Sequence, residues 1–178
     1  MAGMGTHGRG LVLRRLEAMD PQDKKVALRA ITYGLYVVTA THGDEFAGGG
    51  VNWLTQVSFE PPLIAAGIKV DSGLHALIDQ TGLFAVNVLA DDQLDIGKAF
   101  FRSTTVDGDR INDHRFERGV ATDAPILEEA PYWFECRVTD TVKGGDHSVF
   151  VAEVIGAGVR DASRPPLNLR STGMNYGG

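Results

Sequence analysis

Six short runs of β-branched and aromatic residues, separated by turns rich in glycine and proline, constrain this fold more than any other feature. The runs span residues 33–41, 51–59, 63–70, 83–89, 132–142 and 148–160. Several of the turns between them are too short for the crossover connection that parallel strands need. The pattern therefore predicts a mainly β fold, with six antiparallel strands in a closed or nearly closed barrel and short peripheral helices.

Three stretches carry helix-start signals. Asp20 followed by Pro21 predicts an N-cap and first helical position, with an apolar face that can be buried. Ser72 predicts a cap for a short helix that ends near Gly82. An aspartate at position 91 or 92 predicts the cap of a helix over 92–101.

Two hairpins are predicted, one on each side of a long irregular segment. Residues 33–41 and the run beginning at 51 form the first hairpin around a turn at 42–50, and the last two runs form the second. Residues 102–130 predict a long excursion with little regular structure. We expect residues 1–9 to be disordered and residues 10–178 to form a single domain.

Composition excludes several classes of protein. The chain has 178 residues and a net charge of −6 without a basic run, which argues against nucleic acid as a partner. Cys136 is the only cysteine, so an intrachain disulfide and a zinc site of several thiolates are excluded, and no metal site is predicted. Without an apolar run of membrane-spanning length or a secretory signal, we expect a cytoplasmic protein that does not associate with membranes.

Residues 52–58 carry polar but uncharged side chains where a solvated strand face usually carries Lys and Glu. Asn52, Gln56 and Ser58 alternate with mostly apolar residues. Amide and hydroxyl groups in such a row suit a ligand with uncharged donors and acceptors. A solvated sheet face without a ligand is the alternative interpretation.

The end of the run at 63–70 leads into a second candidate binding segment. Lys69 ends the strand, and Ser72 and Gly73 stand at the predicted helix N-terminus, where backbone amides favour an anion. The alternative is an ordinary N-cap with no ligand.

The sequence GGDH, residues 144–147, places a histidine at the start of the last strand. His147 can project toward a ligand, or it can be a turn histidine without a chemical role. Cys136 is expected to be a buried small hydrophobe, Asn87 to have a structural hydrogen-bond partner, and His75 to face solvent or a partner subunit.

Five motifs in this order resemble the flavin reductase-like family, over residues 27–158: YGLYVVTAT, VNWLTQVSFEPPLI, GLFAVNVL, ECRVTD and GDHSVFVAEV. The resemblance implies the FMN-binding split barrel, commonly as a homodimer that reduces flavin with NADH or NADPH. Many relatives carry a second hydroxyl-bearing residue or an arginine where this chain has Leu74 and His75.

The resemblance also implies roles for the candidate residues. It places His147 near the nicotinamide as the candidate catalytic residue, and Trp53 or Leu54 against the flavin ring. The remaining implied cofactor-binding residues are Asn52, Thr55, Gln56 and Ser58 for the ring and its tail, and Lys69, Ser72 and Gly73 for the phosphate or ribityl chain.

The sequence leaves the cofactors and partners open. FMN is expected, with FAD possible, and a partner monooxygenase is possible. Because the chain lacks a GxGxxG fingerprint between a predicted strand and a helix, the nicotinamide is expected to bind in an open groove over the flavin. One alternative to a flavin reductase is a flavoprotein that keeps FMN tightly and acts on an acceptor other than flavin. The other is a carrier or sensor that binds flavin or haem, with His147 or His75 as the axial ligand.

Overall fold

The computed structural model describes residues 19–177, so the predicted disordered segment 1–9 lies outside the described residues. Two compact units are distinguished. One contains helix α1 (Pro21–Arg29), and the other spans Thr32–Tyr176. The prediction of a single domain over 10–178 stays a prediction.

Helix α1 begins where the sequence predicts it. The Asp20 carboxylate accepts hydrogen bonds from the amides of Gln22 and Asp23, at 2.7 and 3.2 Å. No side chain of the helix is buried. The apolar face that the spacing allows to be buried is therefore not buried within the described residues.

The larger unit is built on a seven-stranded antiparallel sheet, whose strands are β1 (Tyr36–His42), β2 (Glu45–Val51), β3 (Leu54–Ser58), β4 (Leu63–Lys69), β5 (Leu83–Val88), β10 (Tyr132–Lys143) and β11 (His147–Val159). Their order across the sheet is β2-β1-β5-β10-β11-β4-β3. Within the described residues this ladder does not close, and it has seven strands. The mainly β, antiparallel prediction is confirmed, and the count of six strands is wrong. No closed barrel is found among residues 19–177, and the split barrel that the family resemblance implies stays a prediction.

The first hairpin differs from the prediction. Strand β1 pairs with β2, which lies inside the predicted turn, and β3 pairs instead with β4 at the other end of the sheet. The three glycines at 48–50 were interpreted as turn signals. They are strand residues at a close approach, because a Cβ on Gly48 would lie 2.8 Å from the Phe100 ring and one on Gly49 3.1 Å from Leu74.

The predicted excursion at 102–130 contains regular structure, so that prediction is wrong. A second, four-stranded sheet holds β6 (Val106–Asp107), β7 (Arg110–Ile111), β8 (His114–Arg118) and β9 (Pro125–Leu127). Its first two strands have two residues each, which is too short to produce a periodic hydrophobic pattern.

Helix α2 (Gly73–Thr81) matches the prediction at both ends. The Ser72 hydroxyl accepts from the His75 amide at 3.1 Å, and Gly82 ends the helix with φ of 67°. Helix α3 (Leu94–Ala99) has Gln93 at its N-cap position, so the predicted aspartate cap is wrong. The Gln93 side chain bridges the Ala90 amide and the Glu129 carbonyl, at 2.8 and 2.7 Å.

The main core lies between the sheet and α2. Phe84, Phe150 and Ile78 are almost completely buried, and a buried side chain of this size contributes about 1.5–3 kcal/mol. Cys136 is buried as predicted. Asn87 donates to the Val37 carbonyl at 3.2 Å and accepts from the Leu127 amide at 2.7 Å, which confirms its structural role. Across residues 19–177, no helix is long and apolar enough to cross a membrane.

Candidate active site

A cavity of about 750 Å³ opens where the sheet, α2, the end of α3 and the C-terminal segment meet. This volume lies within the range of roughly 300–1,000 Å³ that is typical of small-molecule sites. Its walls come from five parts of the larger unit: strand β2 and its connection to β3, residues 67–74, residues 100–104, His147, and the segment 174–176.

The structure brings together six of the ten residues predicted from the sequence. These are Asn52, Trp53, Lys69, Ser72, Gly73 and His147. The other four, Leu54, Thr55, Gln56 and Ser58, are not among the lining residues. They lie on the edge strand β3, where Thr55 and Gln56 are exposed and the Gln56 amide donates to the Ser58 carbonyl at 3.1 Å.

Two buried hydrogen-bond donors in the cavity wall lack an acceptor. Asn52 Nδ2 and Trp53 Nε1 are both buried and have no hydrogen-bond partner among the described residues. Buried polar groups in native proteins are nearly always paired, so an orphaned donor in a cavity wall indicates a ligand that supplies the acceptor. These two neighbouring donors suit a ligand with carbonyl or ring-nitrogen acceptors along one edge.

Gly67 of strand β4 holds Trp53 in place. The Gly67 amide donates to the Trp53 carbonyl at 2.8 Å, and a Cβ on Gly67 would lie 3.1 Å from the indole ring. The missing side chain at Gly67 therefore allows the indole to pack closely against β4. The cavity gains an aromatic wall beside the two orphaned donors.

His147 forms the adjoining wall. Its ring centroid lies 4.4 Å from that of Trp53, Nδ1 lies 2.9 Å from the Asp146 carboxylate, and Nε2 lies 3.3 Å from the Tyr176 hydroxyl. The hydrogen bond from His147 lowers the pKa of Asp146, which is otherwise exposed. Both ring nitrogens therefore have partners within the protein.

The start of α2, just after Lys69, can receive an anion. Gly73 and Leu74 begin α2, and the first amides of a helix have no partner within the helix. The Ser72 hydroxyl donates to the Lys69 carbonyl at 2.7 Å. Lys69 Nζ lies 3.0 Å from Asp71, and this hydrogen bond raises the lysine pKa. Asp71 also lines the cavity, so the lysine charge is partly compensated there.

The wall formed by residues 100–104 was not predicted. The Thr104 hydroxyl accepts from the Gly48 amide at 2.9 Å, and the Gly50 amide donates to the Phe100 carbonyl at 3.1 Å. Arg102 pairs with Asp113 at 2.6 Å. The glycines of β2 were the available signal for this close contact. The segment 100–104 itself has no motif, and neither has 174–176.

The sequence predicts that His75 faces solvent or a partner subunit, and the structure shows that it does not face solvent. It is buried, its Nε2 lies 2.8 Å from the Ser148 hydroxyl, and its ring packs against Phe150. His75 is not among the residues that line the cavity. Of the two histidines considered as haem ligands, only His147 reaches the cavity.

A cavity in an antiparallel sheet that combines uncharged donors, an aromatic wall and a helix N-terminus has the chemistry to fit a planar heteroaromatic compound with an anionic tail. The chain belongs to the flavin reductase-like family, whose family model, described as a flavin reductase like domain, matches residues 28–177.

Named relatives cover most of the chain. The NADH:riboflavin 5′-phosphate oxidoreductase of Streptomyces pristinaespiralis is 31% identical over 84% of each chain. The reductase component of 4-nitrophenol 4-monooxygenase/4-nitrocatechol 2-monooxygenase from Rhodococcus opacus is 30% identical over 80% of this chain and 74% of the relative.

A solved structure extends the comparison. The NADH:FAD oxidoreductase SgcE6 of Streptomyces globisporus, in complex with NAD and FAD fragments, has a TM-score of 0.72 and 28% identity. The match covers 85% of this chain and 91% of that one.

The cavity residues fit a flavin. The pyrimidine edge of an isoalloxazine ring carries carbonyl and nitrogen acceptors, which the unpaired amide of Asn52 and indole N–H of Trp53 can meet. Trp53 also supplies an apolar face. The start of α2 suits the phosphate of FMN or the first phosphate of FAD.

Proposed function

We propose that this chain is an NADH-dependent flavin reductase that binds FMN or FAD in the cavity between β2, α2 and His147. The observation that carries the proposal is the pair of buried, unpaired donors on Asn52 and Trp53 in a cavity of suitable size. The activities named for the relatives support NADH as the hydride donor.

A bound flavin supplies the hydride chemistry itself, since its ring accepts a hydride from reduced nicotinamide. The protein then has to bind the flavin and the nicotinamide, orient their rings and shield them from water. Asn52 and Trp53 hold one edge of the ring, while the first turn of α2 and Lys69 hold the phosphate. His147 forms the wall against which the nicotinamide packs. Because the flavin supplies the chemistry and the protein residues only bind and position the reactants, the sequence needs no Ser–His–Asp signature.

The proposal includes a redox partner. The Rhodococcus opacus relative is named as the reductase component of a monooxygenase, which supports a monooxygenase as the recipient of reduced flavin. We place the reaction in the cytoplasm, where NADH is available.

We also propose that the protein is a homodimer. The edge strand β3 and the residue after it expose Val57 at 51% and Phe59 at 87%, and an exposed apolar edge strand favours pairing with another chain. Light scattering at micromolar concentration tests this, with Phe59→Asp as the variant expected to shift the protein toward monomer. A wild-type monomer would contradict it.

The decisive experiment is an absorption titration with flavin followed by NADH. A reductase gives flavin-dependent NADH oxidation, and FMN, FAD and riboflavin assayed in parallel rank the flavin substrates. Flavin binding without NADH oxidation would instead support the carrier function. A Soret band on adding haem, lost in His147→Ala, would support the haem-binding alternative.

A further inference from the structure

Tyr176, near the end of the described chain, contacts both aromatic walls of the cavity. Its hydroxyl lies 3.3 Å from Nε2 of His147. Its ring stands edge-on to the Trp53 indole, with the centroids 5.4 Å apart. The segment that carries Tyr176 had no motif, so these contacts assign it a place in the site that the sequence did not suggest.

Asp146 determines which nitrogen of His147 carries the proton. Its carboxylate lies 2.9 Å from Nδ1, and the hydrogen bond lowers the Asp146 pKa, so the group is ionised at neutral pH. An ionised carboxylate only accepts hydrogen bonds, and Nδ1 must therefore donate. In the neutral ring, Nε2 then carries a lone pair, and the Tyr176 hydroxyl is the donor to it.

The two partners leave His147 little freedom to turn. The imidazole side chain is only 12% exposed, and one of its faces lies beside Trp53. A histidine with one free nitrogen can act as a proton donor or bind a ligand amide. A histidine with both nitrogens occupied by the protein can offer a ligand only its ring.

We propose that Tyr176 is a positioning residue for His147: together with Asp146 it ties both imidazole nitrogens to the protein, so that His147 serves the nicotinamide as a fixed aromatic wall and not as a proton donor. The inference rests on the proposed function only in naming the nicotinamide as the ring that packs there. The positioning itself is a property of the protein without nucleotide.

The test begins with the free protein. A ¹H–¹⁵N spectrum of the imidazole nitrogens, with the His147 signals assigned from a His147→Gln variant, reports the tautomer directly. We expect the Nδ1–H form in the wild type and a shifted or mixed pattern in Tyr176→Phe, which removes only the hydroxyl. A wild-type ring with its proton on Nε2, or an unchanged spectrum in Tyr176→Phe, would overturn the proposal.

Kinetics provide the second readout. In Tyr176→Phe we expect KM for NADH to rise about two- to tenfold, the effect of one lost hydrogen bond, while kcat and the flavin Kd stay unchanged. A fall in KM would overturn the proposal, because it would mean that Tyr176 is a plug that NADH displaces.

A matched control separates this effect from a general loss of stability. Tyr132→Phe removes a hydroxyl that bonds the Arg164 carbonyl at 2.7 Å, and Tyr132 does not line the cavity. We expect this variant to leave both the His147 spectrum and the NADH kinetics unchanged. If the wild type oxidises no NADH, the proposed function fails, and the spectrum of the free protein still decides the role of Tyr176.

Discussion

The indole of Trp53 and the imidazole of His147 lie with their centroids 4.4 Å apart and their planes at 51°. Trp53 belongs to the connection between β2 and β3, and His147 begins β11, so the two are distant in sequence. Strand β4 joins them, since Lys69 of β4 pairs with His147 and Gly67 lies under Trp53. The register of β4 against β11 thus builds the aromatic wall.

Trp53 is therefore expected to report flavin binding. The chain has two tryptophans, and Trp133 is not among the cavity-lining residues. In a Trp133→Phe variant, FMN is expected to quench most of the remaining fluorescence, because the ring would bind against Trp53. In the reciprocal Trp53→Phe variant, quenching at the same FMN concentration should be much weaker, and equal quenching in the two variants would contradict the assignment.

Asn52→Leu is expected to weaken flavin binding while making the free protein more stable. The substitution removes a buried donor without a partner, and such a group costs about 1–3 kcal/mol. We expect the free energy of unfolding to rise by about 1 kcal/mol and the flavin Kd to rise about tenfold. Urea denaturation and fluorescence titration measure the two quantities.

Gln56→Leu is the matched control for that experiment. Gln56 has the same amide chemistry but is exposed on β3, outside the cavity. Its flavin Kd should equal that of the wild type. If Gln56→Leu weakened flavin binding and Asn52→Leu did not, the polar residues of β3 would belong to the flavin-binding site.

Lys69 and Asp71 are expected to have opposite effects on the affinity for a flavin that carries a phosphate. Lys69→Met removes a cation, whereas Asp71→Asn frees that cation from its 3.0 Å partner. Because this pair is exposed, we expect changes of only about two- to fivefold in the FMN Kd, weaker for Lys69→Met and tighter for Asp71→Asn. Riboflavin has no phosphate, so its Kd should not change, and equal effects on both flavins would contradict this placement.

Gly48→Ala is expected to destabilise the protein by about 1–3 kcal/mol. The new Cβ would lie 2.8 Å from the Phe100 ring, which is 2% exposed, so the ring or the strand would have to shift. Gly144→Ala is the control, since a Cβ there meets nothing within 4 Å. Thermal unfolding of the two variants measures the difference, and equal Tm values would mean that the close approach of β2 to residue 100 is unimportant.

Cys136 is expected to resist thiol reagents in the folded protein. Burial raises its pKa from 9.0 to about 12, with a smaller contribution from Glu135. The thiol stays protonated in the folded chain while it ionises in the unfolded chain, so this group stabilises the fold fully below pH 9 and progressively less from there to about pH 12. Labelling with a chromogenic disulfide at pH 8 should be slow in buffer and fast in denaturant, and rapid labelling of the native protein would contradict the burial.

Much of the local structure follows from the sequence because its signals act over a few residues. The Ser72 cap, the Gly82 stop and the Asp20–Pro21 start are satisfied by bonds to near neighbours. The strands β1, β4, β5, β10 and β11 coincide with β-branched and aromatic runs. Asn87 and Cys136 stand within apolar runs, and such a position predicts burial for each.

Six of the ten site residues predicted from the sequence line the cavity. Asn52 was predicted because uncharged polar groups are unusual where charge is expected, and Trp53 because the family resemblance places it or Leu54 against the flavin ring. Ser72 and Gly73 were predicted because a helix start is a local event. Only the tertiary structure separated Asn52 from Gln56, since strand β3 begins at Leu54 and places the later polar side chains on an open edge.

The remaining walls required contacts between distant segments. Whether a row of glycines is a turn or a strand under a phenylalanine depends on where Phe100 packs, and a short sequence window does not contain that information. The same holds for Tyr176, whose role comes from the position of His147. The sequence by itself determined the family, most of the strands and the Asp20 and Ser72 caps, because these depend on local chemistry. The tertiary structure decided which side chains share the cavity, because that depends on strand register and on close approach between segments far apart in the chain.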